Sequence, residues 1–210
     1  KTTIPTTPYL WAANTSSDTA SKFNTDTLQE EGQYWVALNP SRSAVDLEGR
    51  NWIGGRNDGR VTAIAANLSQ CVDRSQNGTI ETSTLDEATQ KFTILNSEAN
   101  PLADECVLFS QVNNQNVRSI RGIAAAPDGT KWVGHTAGGV QPVAIHRIDG
   151  QLEYQATIGE YYAPHKIPVY QADAQDVLNP LFNGQGEQIR ANGGGIYGIV
   201  IDSSGLLYTS

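Results

Sequence analysis

The chain has 210 residues, a formal net charge of −8, two cysteines and no methionine. That length can bury a sizeable core of one or two domains, and the scattered Lys and Arg within an acidic total exclude a general nucleic-acid binder, which needs clustered positive charge. No apolar run approaches the roughly 20 residues that carry a helix across a bilayer, and plentiful Gly, Ser, Thr and Asn suit an all-β chain rich in turns.

Residues 1–8 (Lys-Thr-Thr-Ile-Pro-Thr-Thr-Pro) read as a linker or a lead-in strand. From residue 9 to 210 a pattern recurs: an apolar strand, an Asp-x-x-Gly or Pro-Asp-Gly turn, then a strand centred on an aromatic residue. Tyr9–Asn14 begins it, and Ser43–Gly55, Gly122–Gly134 and Gly198–Tyr208 repeat it. Asp and Gly supply the tight turn geometry that β-branched residues resist. The aromatic anchors are Trp11, Trp52, Trp132 and Tyr208, at intervals of 41, 80 and 76 residues. The first interval is about one blade of a propeller. The longer two call for insertions or degenerate blades, and residues 67–110 are the clearest insertion.

A third strand follows each aromatic one (Thr19–Asn24, Arg60–Ala65, Val143–Asp149), and Gly32–Ala37 reads as a fourth. Four-stranded antiparallel meanders of this kind are the blades of a β-propeller, which is the fold class expected, with loop insertions. The one helical candidate, Leu85–Leu95, lies inside the insertion and reads as a short helical turn or a loop. The chain opens on Lys1 and stops in an unfinished strand pattern after Tyr208, which leads us to expect a processed or partial chain with an incomplete propeller. The strand–Asp-x-x-Gly–Trp/Tyr-Val pattern resembles the NHL, YVTN and streptogramin-lyase group of bacterial propellers. Asn39–Gly49 followed by the insertion is similar to uncharacterised secreted propeller proteins of bacteria, a likeness that brings no function with it.

The insertion carries the most chemistry. Asp73, Ser75 and Asn77 place side-chain oxygens at alternate positions, Gly78 allows the turn, and Thr79 offers a carbonyl. This is the start of an EF-hand-like calcium loop. The twelfth position, ordinarily an acidic bidentate ligand, is Thr84, so Glu81, Asp86, Asp104 or Glu105 must compensate. The expected metal set is Asp73, Ser75, Asn77, Thr79, Glu81 and Asp104 around Ca2+. With so few carboxylates, binding in the range of about 10⁻⁴ to 10⁻³ M is expected, as in extracellular modules. The alternative is a metal-free polar turn. Cys71 and Cys106 bracket the segment. A bridge between them would constrain the loop by about 4 kcal/mol in the chain-entropy account; two buried free thiols are the alternative.

The remaining candidates are weaker. A lyase of the streptogramin type would need a histidine acid or base and a divalent metal. His135, after a Trp-Val-Gly strand, is the candidate, but no second His or Glu stands at a telling spacing; His146 reads as a sheet residue and His165 as a loop residue. Gly193–Gly195 lacks the helix and Lys of a phosphate cradle. Tyr161, Tyr162 and Tyr170 read as loop packing or as an aromatic recognition surface. Asn14, Asn67 and Asn77 match the N-glycosylation sequon. These features lead us to expect a secreted, extracellular or cell-surface module without catalytic activity, stabilised by calcium and a disulfide. Its partners would be a surface protein, a glycan or other subunits of an extracellular assembly. The propeller-type lyase is the alternative.

Overall fold

The computed structural model describes residues 8–112, 119–135, 145–148, 154–157, 169–172, 178–180, 198–203 and 207–209, with side chains over 8–112, 119–134 and 198–203. The chain is all-β, built from small, mostly antiparallel sheets. The first sheet holds β1 (Tyr9–Asn14), β2 (Thr19–Asn24) and β3 (Glu30–Trp35), in that order. The second runs β4 (Pro40–Val45), β5 (Asn51–Gly55), β6 (Arg60–Ile64) and, after the insertion, β9 (Val107–Val112). Within the insertion, a 3-10 turn at Leu68–Gln70 precedes the two-stranded hairpin of β7 (Thr84–Asp86) and β8 (Lys91–Thr93). The third sheet is the sequential meander β10 (Ile120–Ala125), β11 (Lys131–His135), β12 (Ile145–Ile148) and β13 (Tyr154–Thr157).

The fourth sheet departs from the expected meander. It comprises β14 (Val169–Ala172), β15 (Leu178–Pro180), β16 (Ile199–Ile201) and β17 (Leu207–Thr209), in the order β15-β14-β17-β16. The β14–β15 hairpin, for which the repeat gave no strand, adds to the side of β17 away from β16, with β14 parallel to it. A strand edge presents unpaired N–H and C=O groups, and a preceding hairpin can satisfy them as well as a following one.

Period-two side-chain alternation distributes the second sheet between its neighbours. Ile53, Ile64 and Val107 join Trp11, Ala20 and Tyr34 in one buried cluster, towards the first sheet. Trp52, Val61, Ala63 and Phe109 join Ile120, Ile123 and Val133 in another, towards the third. Both faces are therefore covered, and the β5 residues Asn51–Gly55 are buried throughout. The edge strands β4, β10 and β16 of the second, third and fourth sheets are neighbours in succession. Glycine permits this closeness: a Cβ on Gly54 would collide with Ile120, and one on Gly122 would lie 2.7 Å from Ile199 Cγ1. The Asp46-x-x-Gly49 turn and the Ala126-Pro-Asp-Gly129 turn end on left-handed glycines at matching places, Gly49 with φ 80° and Gly129 with φ 86°.

A charged group ties the second sheet to the third. Asp46 Oδ2 accepts the Trp52 indole N–H at 2.8 Å and the Arg50 Nε–H at 2.8 Å. Lys131 Nζ, at the start of β11, lies 3.3 Å from the same oxygen, donates to the Gly129 carbonyl at 2.6 Å and stands over the Trp52 ring. Burial alone would raise the Asp46 carboxyl, but the Trp52 N–H, Arg50 and Lys131 outweigh it and hold it below its ordinary value.

Candidate functional site

The insertion leaves the second sheet after β6 and returns at β9. The disulfide between Cys71 and Cys106 closes it, with the two Cα atoms 4.3 Å apart. Cys106 is buried in the cluster between the first and second sheets, so the clasp is anchored in the core. Backbone pairing continues from the bridge: Val72 N–H donates to the Glu105 carbonyl and Glu105 N–H to the Glu81 carbonyl, each at 2.9 Å.

Glu105 organises the loop. Its carboxylate is almost fully buried and accepts backbone N–H groups from Arg74 (2.6 Å), Ser75 (2.9 Å) and Glu81 (2.8 Å). The Glu81 and Ser75 donors, foremost among these, hold it below the usual carboxylate range. Arg74 turns the other way, donating to the Val107 carbonyl at 2.7 Å and the Asp104 carbonyl at 3.3 Å.

Asp73 is the hub of the exposed tip. Its carboxylate accepts the Gly78 N–H at 2.8 Å, the Asn77 N–H at 3.3 Å and the Ser75 hydroxyl at 3.1 Å. These donors, Gly78 first, lower its pKa. Gly78 takes φ 81°, as the sequence pattern requires. Asn77 Oδ1 accepts the Thr79 N–H at 2.8 Å, and Asn77 Nδ2 donates to Glu81 Oε1 at 3.2 Å. Asp73, Ser75, Asn77, Thr79 and Glu81 thus share one exposed loop. Asp104 does not join them. It is fully buried and accepts from the Thr82 hydroxyl (2.9 Å), the Cys106 N–H (2.9 Å) and the Ser83 N–H (2.8 Å). Burial raises its pKa despite these bonds. Among the described residues no group of three or more His, Cys, Asp or Glu gathers as metal ligands.

The insertion also performs a task that sequence reading missed. It covers the outer strand of the neighbouring sheet, β3. Ser83 Oγ accepts the Gln33 N–H at 3.2 Å, Asn96 Oδ1 accepts the Trp35 N–H at 3.1 Å, and Asn96 Nδ2 donates to the Trp35 carbonyl at 2.7 Å. Two polar side chains thereby replace a strand along an edge that would otherwise invite pairing. Leu85–Leu95, expected as a helical turn or loop, is instead the β7–β8 hairpin. Asp86 Oδ1 accepts the Ala88 and Thr89 N–H groups, and the turn closes with Gln90 N–H on the Asp86 carbonyl at 2.8 Å.

His135 ends β11, His146 lies on β12 and Tyr170 on β14. His165, Tyr161, Tyr162 and Gly193–Gly195 lie outside the described residues.

The class defined by these features is an all-β chain of packed meanders with a disulfide-clasped insertion. No family model matches the sequence, and no curated protein does either. Among solved structures the chain is similar to the hydrazine synthase of Kuenenia stuttgartiensis, a β-propeller-containing protein, with a TM-score of 0.51 and 16% sequence identity. The match covers 94% of this chain and 37% of that one, so the chain spans little over a third of its neighbour's length. At that identity the likeness is one of fold alone.

Proposed function

We propose that this chain is a non-catalytic module of an extracellular or cell-surface β-propeller, related to the NHL, YVTN and streptogramin-lyase group, that serves in binding, adhesion or assembly of a surface structure. The observation that carries the reading is the insertion: a disulfide joins its two ends, and its body seals β3 of the adjacent sheet. Disulfides persist in oxidising compartments, so a clasp that supports two sheets favours life outside the cytosol. The succession of β4, β10 and β16 favours a radial array of sheets around those strands.

Calcium belongs to the same proposal. Asp73 already gathers the Asn77 and Gly78 N–H groups around its carboxylate, and Ser75, Asn77, Thr79 and Glu81 lie on the same exposed loop. This oxygen-rich set fits a weakly held hard cation. When bound, the ion would offset the repulsion between Asp73 and Glu81, while Asp104 and Glu105 fix the base of the loop. A partner surface, whether glycan or protein, would be met by loops stiffened in this way.

The test is thermal melting with millimolar CaCl₂ and with a chelator, paired with binding to immobilised cell-surface glycans and proteins under both conditions. A melting temperature raised by calcium, with Asp73→Ala losing the response, supports the reading. Identical melting curves remove the metal. Binding to none of the surface ligands, alongside turnover of a small-molecule substrate, would favour a catalytic role instead.

A further inference from the structure

The side of β1 that no described strand pairs has a counterpart elsewhere in the chain. In the second sheet the aromatic strand β5 has β4 on its inner side, and the carboxylate that opens the turn after β4, Asp46, takes the Trp52 indole N–H at 2.8 Å. In the third and fourth sheets, β10 flanks the Trp132 strand and β16 flanks the Tyr208 strand in the same way. The first sheet repeats the outer part of this arrangement. Trp11 leans on Tyr34 with ring centroids 6.4 Å apart and planes at 42°, much as Trp52 leans on Phe109 at 5.8 Å and 43°. β1, however, is the edge of its sheet among the described residues. The Trp11 indole nitrogen is buried without a hydrogen-bond partner among them, and the residue is only 9% exposed. A buried N–H left unpaired costs about 1–3 kcal/mol.

We propose that the inner edge of β1 accepts an antiparallel strand of the β4 type, an extended segment leading into an Asp-x-x-Gly turn, whose Asp carboxylate takes the Trp11 indole N–H. This deepens the propeller reading and rests on it. Three observations choose this occupant. The same interface is already built at β4–β5, where the Asp lies six residues before its aromatic partner, as Asp202 lies six before Tyr208. The inner strands β4, β10 and β16 follow one another, and β4 also neighbours β1, so the incoming strand would continue that row. Residues 1–8 contain neither Asp, Glu nor Gly, so they bring no such carboxylate or turn. Main-chain pairing would supply affinity and the indole–carboxylate bond would supply register.

The experiment uses the full 210-residue chain, isotope-labelled, and a peptide copying Pro40–Arg50. The Trp11 indole resonance is assigned with Trp11→Phe, and amide exchange along β1 is followed in the unsubstituted protein. The expected result is a shift of the Trp11 indole signal and slowed exchange along β1. Binding should be about tenfold weaker for a peptide carrying Asp46→Ala, the loss of one charge-assisted bond. A peptide that moves neither signal overturns the proposal. So does β1 protection in the free chain that vanishes when residues 1–7 are deleted, which would make the amino-terminal segment the occupant. Protection that vanishes on dilution overturns it in favour of a second copy. Small-angle scattering separates the two levels: a straight stack of sheets removes the radial reading, whereas a curved array with no peptide response removes this strand alone.

Discussion

Lys131 Nζ lies 3.3 Å from Asp46 Oδ2, and neither residue is more than 7% exposed. The pair joins the turn of the second sheet to the aromatic strand of the third, across the cluster that contains Trp52. Its partners differ in what remains after truncation. Asp46→Ala leaves Lys131 buried with the Gly129 carbonyl and orphans the Trp52 N–H, so a loss of about 3–5 kcal/mol is expected. Lys131→Met leaves Asp46 bonded to Arg50 and Trp52 and should cost clearly less. Urea unfolding of both variants measures the order; equal losses would contradict it.

Acid should act on two carboxyls with opposite sign. Asp46 is depressed in the fold, so its contribution is fully present above the unfolded value of 3.8 and is lost as pH falls through the lower folded value. Asp104 is raised, so its ionised form disfavours the fold above that raised value, and the penalty is relieved as pH falls towards 3.8. Denaturation midpoints between about pH 2.5 and 6 should steepen less on the acid side in Asp46→Asn. In Asp104→Asn the relief at falling pH should vanish.

Breaking the clasp should be felt in the neighbouring sheet. Cys71→Ser is expected to cost up to about 4 kcal/mol. Hydrogen exchange at Gln33 and Trp35 should accelerate beyond the global change, because their N–H groups donate to the insertion. Unaltered exchange there would show that the covering of β3 does not depend on the bridge.

Asn96→Ala removes both bonds to Trp35 and one to the Pro101 carbonyl. With about 1–3 kcal/mol for each buried group left unsatisfied, a drop of at least that size is expected in calorimetric or urea unfolding. Asn96→Asp keeps the acceptor for the Trp35 N–H but sets a carboxylate oxygen against the Trp35 and Pro101 carbonyls, so it should cost at least as much at neutral pH.

Gly122→Ala would place a methyl 2.7 Å from Ile199 Cγ1 and 3.2 Å from its backbone nitrogen. Overpacking of this kind costs about 1–3 kcal/mol. Ile199→Ala in the same chain should recover part of the loss, because it removes the side chain that is struck. A double-mutant cycle with zero coupling would separate the two positions.

Much of this was legible from residue order, and the rest was not for physical reasons. The repeated apolar and aromatic segments around Trp52 and Trp132 announced strands, and Gly49 and Gly129 announced the turns between them. The Cys71–Cys106 pairing followed from polar sequence around both thiols. Spacing could not decide between Asp104 and Glu105, because neighbouring side chains leave the backbone in different directions. Glu105 turns to the loop N–H groups and Asp104 to Thr82 and Ser83. The β7–β8 hairpin was hidden because Asp86 and Gln90 shape a turn that periodicity does not register. The addition of β14 beside β17 depends on an edge contributed from elsewhere in the sequence, which no local pattern records.

The contacts of Gly54 with Ile120 and of Gly122 with Ile199 set how far apart consecutive sheets can stand. A single extra methyl there would tilt everything that follows it, as one thick page splays a book at the spine. The 42 residues between Ile64 and Val107, by contrast, were accommodated on the far margin with both flanking strands still paired over Arg60–Ile64 and Val107–Val112. Variation among relatives should therefore accumulate at the outer margin and be refused at the binding edge of the leaves.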